Sequence, residues 1–306
     1  MRKITILILL QAMLLWLPDV GNGQTVQIGN GSSYATLQEG IDAVIPVTTL
    51  TQDLTIEIYA GSYNETIVLP NFTGTNIVTI KSQTNNANDV VIYSAPTLTT
   101  NNYIVKFAAN SHNYRLENLK IINASTELGI GKVIVFENNR GFSDIIINKC
   151  NLFGRTNLTN STELVSPDYS VIFHDGMGGL TSNNLSIENC TISGGSYSIY
   201  AQGASTGDSN TKILYNTFND FGSQAIYTVF QNGLKIRGNF INGTCSEIAN
   251  FTKTCISVKQ NLSTTADTTI IEKNKLFVTS SATASGFIKG ILINNCSDTV
   301  IYIKNN

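Results

Sequence analysis

The chain has 306 residues, with 19 Lys and Arg against 21 Asp and Glu, so its formal net charge is −2 and only 13% of it is charged. This balance carries no electrostatic footprint for nucleic acid. With so few charges the surface must be built from Asn, Ser, Thr and Gly, which is unusual for a cytosolic enzyme.

The first 23 residues read as a signal peptide. A basic start, "MRK", precedes the apolar run Ile4–Leu17, broken only by Gln11, and "PDVGNG" places Gly21 and Gly23 ahead of a cleavage point. Fourteen residues are too short for a membrane span of roughly 20. The mature chain is expected to begin at Gln24, to be secreted or held at the cell surface, and to span no membrane once cleaved. Residues 24–53 read as an N-terminal cap. Its one helix falls in "GNGSSYATLQEGIDAVI" (Gly29–Ile45), where Leu37, Ile41, Val44 and Ile45 share a face and Ser33 or Thr36 can cap the start.

From Leu54 onward the pattern changes to short apolar strands separated by Gly, Asn, Ser and Asp turns. The first are "LTIEIYAGSYNETIVLP", "NIVTIKSQ" and "VVIYSA". Then one phrase recurs: "INKCNL", "IENCTI", "ILYNTF", "IRGNFI" and "IEKNKL", with weaker forms at Leu116 and Ile303. The starts, at 116, 147, 187, 213, 236, 271 and 303, are 23 to 40 residues apart. Such periods mark stacked repeats. A second strand precedes most phrases ("YIVKF", "VIVFE", "SVIFH", "SIYAQ", "AIYTV"), so each coil is expected to run strand, turn, strand, loop. Coils of that size, about 4.8 Å apart, make residues 54–306 a parallel β-helix, right-handed by the crossover rule and open or truncated at its C-terminus. The fourth place of the phrase, Cys150, Cys190, Asn216, Asn239 and Asn274, reads as a stacking ladder in which Asn passes hydrogen bonds from coil to coil and suits the tight corner.

Five cysteines leave at least one that is unpaired or pairs outside this chain, and the ten-residue spacing of Cys245 and Cys255 would let a disulfide close one long loop. No Cys or His spacing suits a metal, and no cofactor is implied. Twelve N-x-S/T sequons are about what this composition produces by itself.

"YATLQEGIDAV" followed by "IEIYAGSYNETIVLP" resembles the opening of pectin-lyase-like right-handed β-helices, and "GSYNE" (Gly61–Glu65) matches the G-x-Y-x-E near the start of pectin methylesterases. More broadly, residues 24–306 resemble large secreted β-helix proteins of Bacteroidetes, many of which carry a type IX secretion sorting domain. This second resemblance rests on "NNANDVVIYSA", "NNYIVKF", "VIFHDG" and "GSYSIYAQG". It implies a fold and an exported surface protein, not an activity. The Q-D-T-L-like and D-F-I-F-G-like segments of the methylesterases are missing, as are the polygalacturonase series and the acidic cluster and paired Arg of pectate lyases.

Strand alternation places Val105, Phe107, Ile134, Phe136, Val171 and Phe173 inward, and Lys106, Glu137, His174 and Gln202 outward. Glu137 and His174 are then expected as neighbours, with Asp175 at the strand exit, and these three are the catalytic candidates: a carboxylate beside an imidazole can serve acid–base chemistry on a sugar. Tyr200 and Tyr227 are expected to stack on sugar rings, with Lys106 and Gln202 as further carbohydrate contacts. His112 reads as an exposed turn residue. Without a complete catalytic set, a non-catalytic carbohydrate-binding, adhesion or structural module is favoured, with an extracellular polysaccharide or cell-surface glycan as partner. The alternative is a polysaccharide lyase or glycoside hydrolase.

Overall fold

In the computed structural model, residues 23–45, 49–158, 160–245, 252–261, 268–280, 287–296 and 301–306 are described. The segment read as a signal peptide lies outside them but for Gly23. Among the described residues the chain is almost entirely strand, wound into three parallel sheets of twelve, eight and eight strands. The fold class expected from the repeats, a right-handed parallel β-helix with a short N-terminal helix, is the one observed. No helix among the described residues is long and apolar enough to cross a membrane.

The recurring phrases stack in register. Leu116, Ile147, Ile187, Ile213, Ile236, Ile271 and Ile303 are successive partners in the first sheet. Toward the N-terminus the row continues through Ile80, Ile56 and Val26, so Gln24–Ile28 adds a strand to the same sheet. Most of these side chains are fully buried, and each contributes roughly 1.5–3 kcal/mol of apolar transfer. In the third sheet an inward ring column begins with Phe107 on Phe136, centroids 4.9 Å apart and planes 6° from parallel.

The expected two-strand coil is one strand short. Each phrase is a strand, a corner and the start of another strand: Ile147 belongs to the first sheet and Leu152 to the second. The corner comes from the residue before the ladder slot. Asn118, Lys149, Asn189, Tyr215, Gly238 and Lys273 all sit in the left-handed region, with φ between 52° and 67°. The ladder asparagines themselves do not adopt it, so their role at the corner is hydrogen bonding alone. Asn239 Nδ2 donates to Ile213 O (2.8 Å) and Asn274 Oδ1 (2.9 Å), while its Oδ1 accepts from Asn216 N (2.9 Å) and Nδ2 (3.1 Å). In the same slot Cys190 donates its thiol to Ile147 O at 3.5 Å, and burial pushes the Cys150 thiol well up. Cys255 is buried, and desolvation pushes its thiol up to about 11; the expected loop-closing disulfide involves the side chain of Cys245, which lies outside the described residues.

Helix α1 (Leu37–Val44) closes the first coil. Thr36 and Glu39 form a reciprocal capping box, and Leu37 and Ile41 are fully buried beneath it. The Glu65 carboxylate of "GSYNE" accepts from Leu37 N (3.0 Å) and Gln38 N (3.2 Å), and Tyr63 Oη donates to Tyr59 O (2.7 Å) and accepts from Asn30 N (3.2 Å). The motif is therefore a clamp: it places a negative group on the positive end of the helix and ties it to the solenoid. Glu65→Ala should cost about 1–2 kcal/mol and speed hydrogen exchange of the Leu37–Ile41 amides. Unchanged protection of those amides would show that the clamp holds nothing.

At the opposite end of the described residues, Phe277, Phe287, Ile288, Tyr302 and Ile303 are exposed on the last strands of the three sheets. His112 is not a free turn residue: its ring lies 4.7 Å from Phe72, and Nε2 is 3.0 Å from Gly74 O.

Candidate functional site

The outer face of the third sheet holds most of the residues that sequence reasoning singled out, in a different arrangement. Ile172 pairs with Ile134 and Ile199, and Phe173 pairs with Val135 and Tyr200. This strand is thus shifted by one residue from expectation, which exchanges its two faces. Phe173 faces outward, and His174 faces inward. The reason lies in "SVIFH": it is apolar at consecutive positions, so alternation cannot choose a face, and neighbour pairing decides.

His174 is 1% exposed. Its ring stands edge-on to Phe142 (4.8 Å) and Phe136 (5.9 Å), ending the inward column, and its Nε2 donates to Asp208 Oδ2 at 2.8 Å. Asp208, 2% exposed, also accepts from Ser182 N (2.8 Å) and Ala204 N (3.4 Å) through Oδ1. The expected Glu137–His174 pair does not exist. Glu137 and Asp175 remain on the outside, where Glu137 accepts from Ala109 N (3.2 Å) and Asp175 from Met177 N (3.1 Å), so both carboxylates are occupied in fixing turns.

The outward row runs Lys106, Val135, Phe173, Tyr200, Tyr227. Phe173 lies on Tyr200 (5.4 Å, 15°), and Tyr200 lies on Tyr227 (4.9 Å, 24°). Lys132 Nζ covers the Phe173 ring at 3.7 Å, and Lys259 Nζ covers Tyr227 at 5.0 Å. The faces of the rings are thereby spent on one another and on two ammonium groups, so the stack offers ring edges and hydroxyls rather than open faces to a sugar. Tyr200 Oη donates to Gln202 Oε1 (2.8 Å), which aligns Gln202 along the same edge, while Lys106 lies over Tyr103 (5.1 Å), apart from the stack. Burial raises the phenols of Tyr200 and Tyr227 and pushes that of Tyr197 up to about 12, keeping all three as neutral donors.

Beside the stack lies a groove of about 550 Å³ that sequence reasoning missed. Its floor is Ser223, Gln224, Thr252, Thr254, Lys289 and Leu292, and its wall is Ser161, Thr162 and Val165. Gln224, Thr254 and Lys289 are register partners three residues before the row of Tyr227 and Leu292, and Gln224 pairs with Tyr197, so groove and stack share one surface. The wall is helix α2 (Ser161–Val165), capped by the Asn160 side chain, which accepts from Glu163 N at 2.9 Å. Tyr197 Oη donates to Val165 O (3.2 Å), and Arg155 bridges Glu127 O (2.7 Å) and Glu163 (3.5 Å), which holds the wall against the sheet. Gln224 Oε1 is buried with no partner among the described residues. Aligning strand positions could have revealed the floor; the wall, contributed by an earlier coil, carries no such signal.

No protein-family model matches this chain, and no curated protein matches it. Among solved structures it is similar to Escherichia coli YbhC, at 12% identity over 92% of this chain and 86% of that one, with a TM-score of 0.52. It is also similar to the pectin methylesterase of carrot (14% identity, 90% and 89% covered, TM-score 0.48). PemA, the pectin methylesterase of Erwinia chrysanthemi, gives 13% identity, 88% and 82% covered, and a TM-score of 0.49. The likeness is one of fold.

Proposed function

We propose that this chain is an exported β-helix that binds a glycan along the outer face of its third sheet without transforming it. The observation that carries this reading is the lining of the groove among the described residues: hydroxyls, one amide and one ammonium, with no carboxylate and no imidazole. Such a lining matches sugar hydroxyls in donors and acceptors. Glycoside hydrolysis by paired carboxylates has no carrier there, and the one histidine of that sheet is inside the coil, bonded to Asp208. The tyrosine edge and Gln202 extend the surface along the solenoid, as an extended polysaccharide chain requires. Export under the leader read at residues 1–23 and a location outside the cell or on its surface belong to the same proposal.

A glycan array probed with the purified protein should return saccharide ligands, and Gln224→Ala combined with Thr254→Val should weaken the best of them at least about tenfold. The same ligands should survive long incubation intact. Release of reducing or unsaturated ends, or hydrolysis of an ester on them, would replace the binding reading with an enzymatic one.

A further inference from the structure

A second surface, on the first sheet and independent of the groove just described, has the composition of a binding site. Tyr215 occupies a coil corner, with φ 55°. Equivalent corners hold Asn118, Lys149, Asn189, Gly238 and Lys273, so Tyr215 is the only aromatic ring placed at them. A bulky residue in this conformation is uncommon and costs roughly 1 kcal/mol or more. Its ring lies over the next corner, where a Cβ on Gly238 would come within 2.5 Å of the ring edge. The glycine therefore lets the ring lie down on the backbone. Tyr215 is nonetheless 52% exposed, and among the described residues it enters no ring–ring or cation–π contact. In this it is the opposite of Tyr200 and Tyr227.

Around the ring are charges that the fold does not use. Lys212 and Lys235 are direct partners on adjacent coils, an arrangement that like charges disfavour. Among the described residues neither ammonium has a carboxylate within 4.0 Å. The neighbouring carboxylates are committed elsewhere: Glu188 accepts from Ser186 Oγ, and Glu272 pairs with Arg237 at 3.3 Å. These groups, with Leu214 and Ile270, line a cleft of about 330 Å³, and Lys212 also lines an adjoining one of about 260 Å³.

We propose that Tyr215, Lys212 and Lys235 form a binding site for an acidic saccharide, the open ring face receiving the apolar face of a sugar and the two ammonium groups receiving its carboxylate or sulfate. The pairing explains the two features that stability alone does not: an aromatic side chain at a corner otherwise held by Asn, Lys or Gly, and two like charges stacked with no carboxylate among the described residues within 4.0 Å. The chain then carries glycan sites on two different sheets.

The test is calorimetric titration of the whole protein with three probes: a hyaluronan tetrasaccharide, a chondroitin sulfate tetrasaccharide, and neutral chitotetraose. At least one acidic probe should bind about tenfold or more tightly than the neutral one, and its affinity should fall as salt is raised. A response to both acidic probes assigns the anion as carboxylate, and a response to the sulfated one alone assigns it as sulfate. Tyr215→Asn keeps a residue suited to the corner and should weaken the acidic probe about three- to tenfold without lowering the thermal melt. The double variant Lys212→Gln, Lys235→Gln should abolish the preference for acidic over neutral probes. Equal binding of neutral and acidic probes, no binding of either acidic probe, or acidic binding unchanged in Tyr215→Asn or in the lysine double variant would each overturn the site.

Discussion

Replacing His174 with Ala should lower the unfolding free energy by about 3–5 kcal/mol. The ring fills the interior against Phe142 and Phe136, and its loss leaves a void in a column of packed rings. The same substitution deprives the buried Asp208 carboxylate of its 2.8 Å donor, leaving it with backbone donors only. Both residues are almost wholly buried. Glu137→Gln and Asp175→Asn, on the outer face, should each change stability by less than about 1 kcal/mol. Urea unfolding of the three variants checks the contrast. A His174→Ala variant as stable as the parent would mean that the imidazole is not the buried partner of Asp208.

Asn239→Ala should cost a comparable amount, about 3–5 kcal/mol. The substitution leaves the Asn216 N–H and one hydrogen of its side-chain amide without their acceptor and takes a donor from the Ile213 carbonyl, while Asn274 Oδ1 keeps the backbone N–H of residue 239 (3.1 Å); each buried group left unpaired costs roughly 1–3 kcal/mol before relaxation. Asn239→Cys should cost less than Asn239→Ala, because Cys190 already fills this slot and reaches a carbonyl of the preceding coil through its thiol. The order Asn, then Cys, then Ala in urea midpoint is the expected result. An Ala variant within about 1 kcal/mol of the parent would remove the ladder as a source of stability.

What the sequence by itself determined is the solenoid, its repeat starts and its ladder. The six-residue phrase carries the same inward anchor and the same Cys or Asn slot on the coils from Ile147 onward, so once coils stack, one register satisfies all of them together. Ile213 against Ile236 and Asn216 against Asn239 follow from that repetition. The helix over Leu37–Val44 was legible for a similar reason, since its apolar face and its Thr36–Glu39 box are local. The tertiary structure alone decided which face His174 occupies, because the strand around it is apolar on both sides and a one-residue shift leaves its hydrophobic pattern almost unchanged. It also decided that Tyr200 and Tyr227 spend their faces on each other while Tyr215 keeps one open over Gly238. The groove wall at Ser161–Val165 belongs with these. All three depend on what the neighbouring coil places alongside, a distance of about 4.8 Å in space but of 23 to 40 residues between repeat starts along the chain, and no local pattern spans that gap.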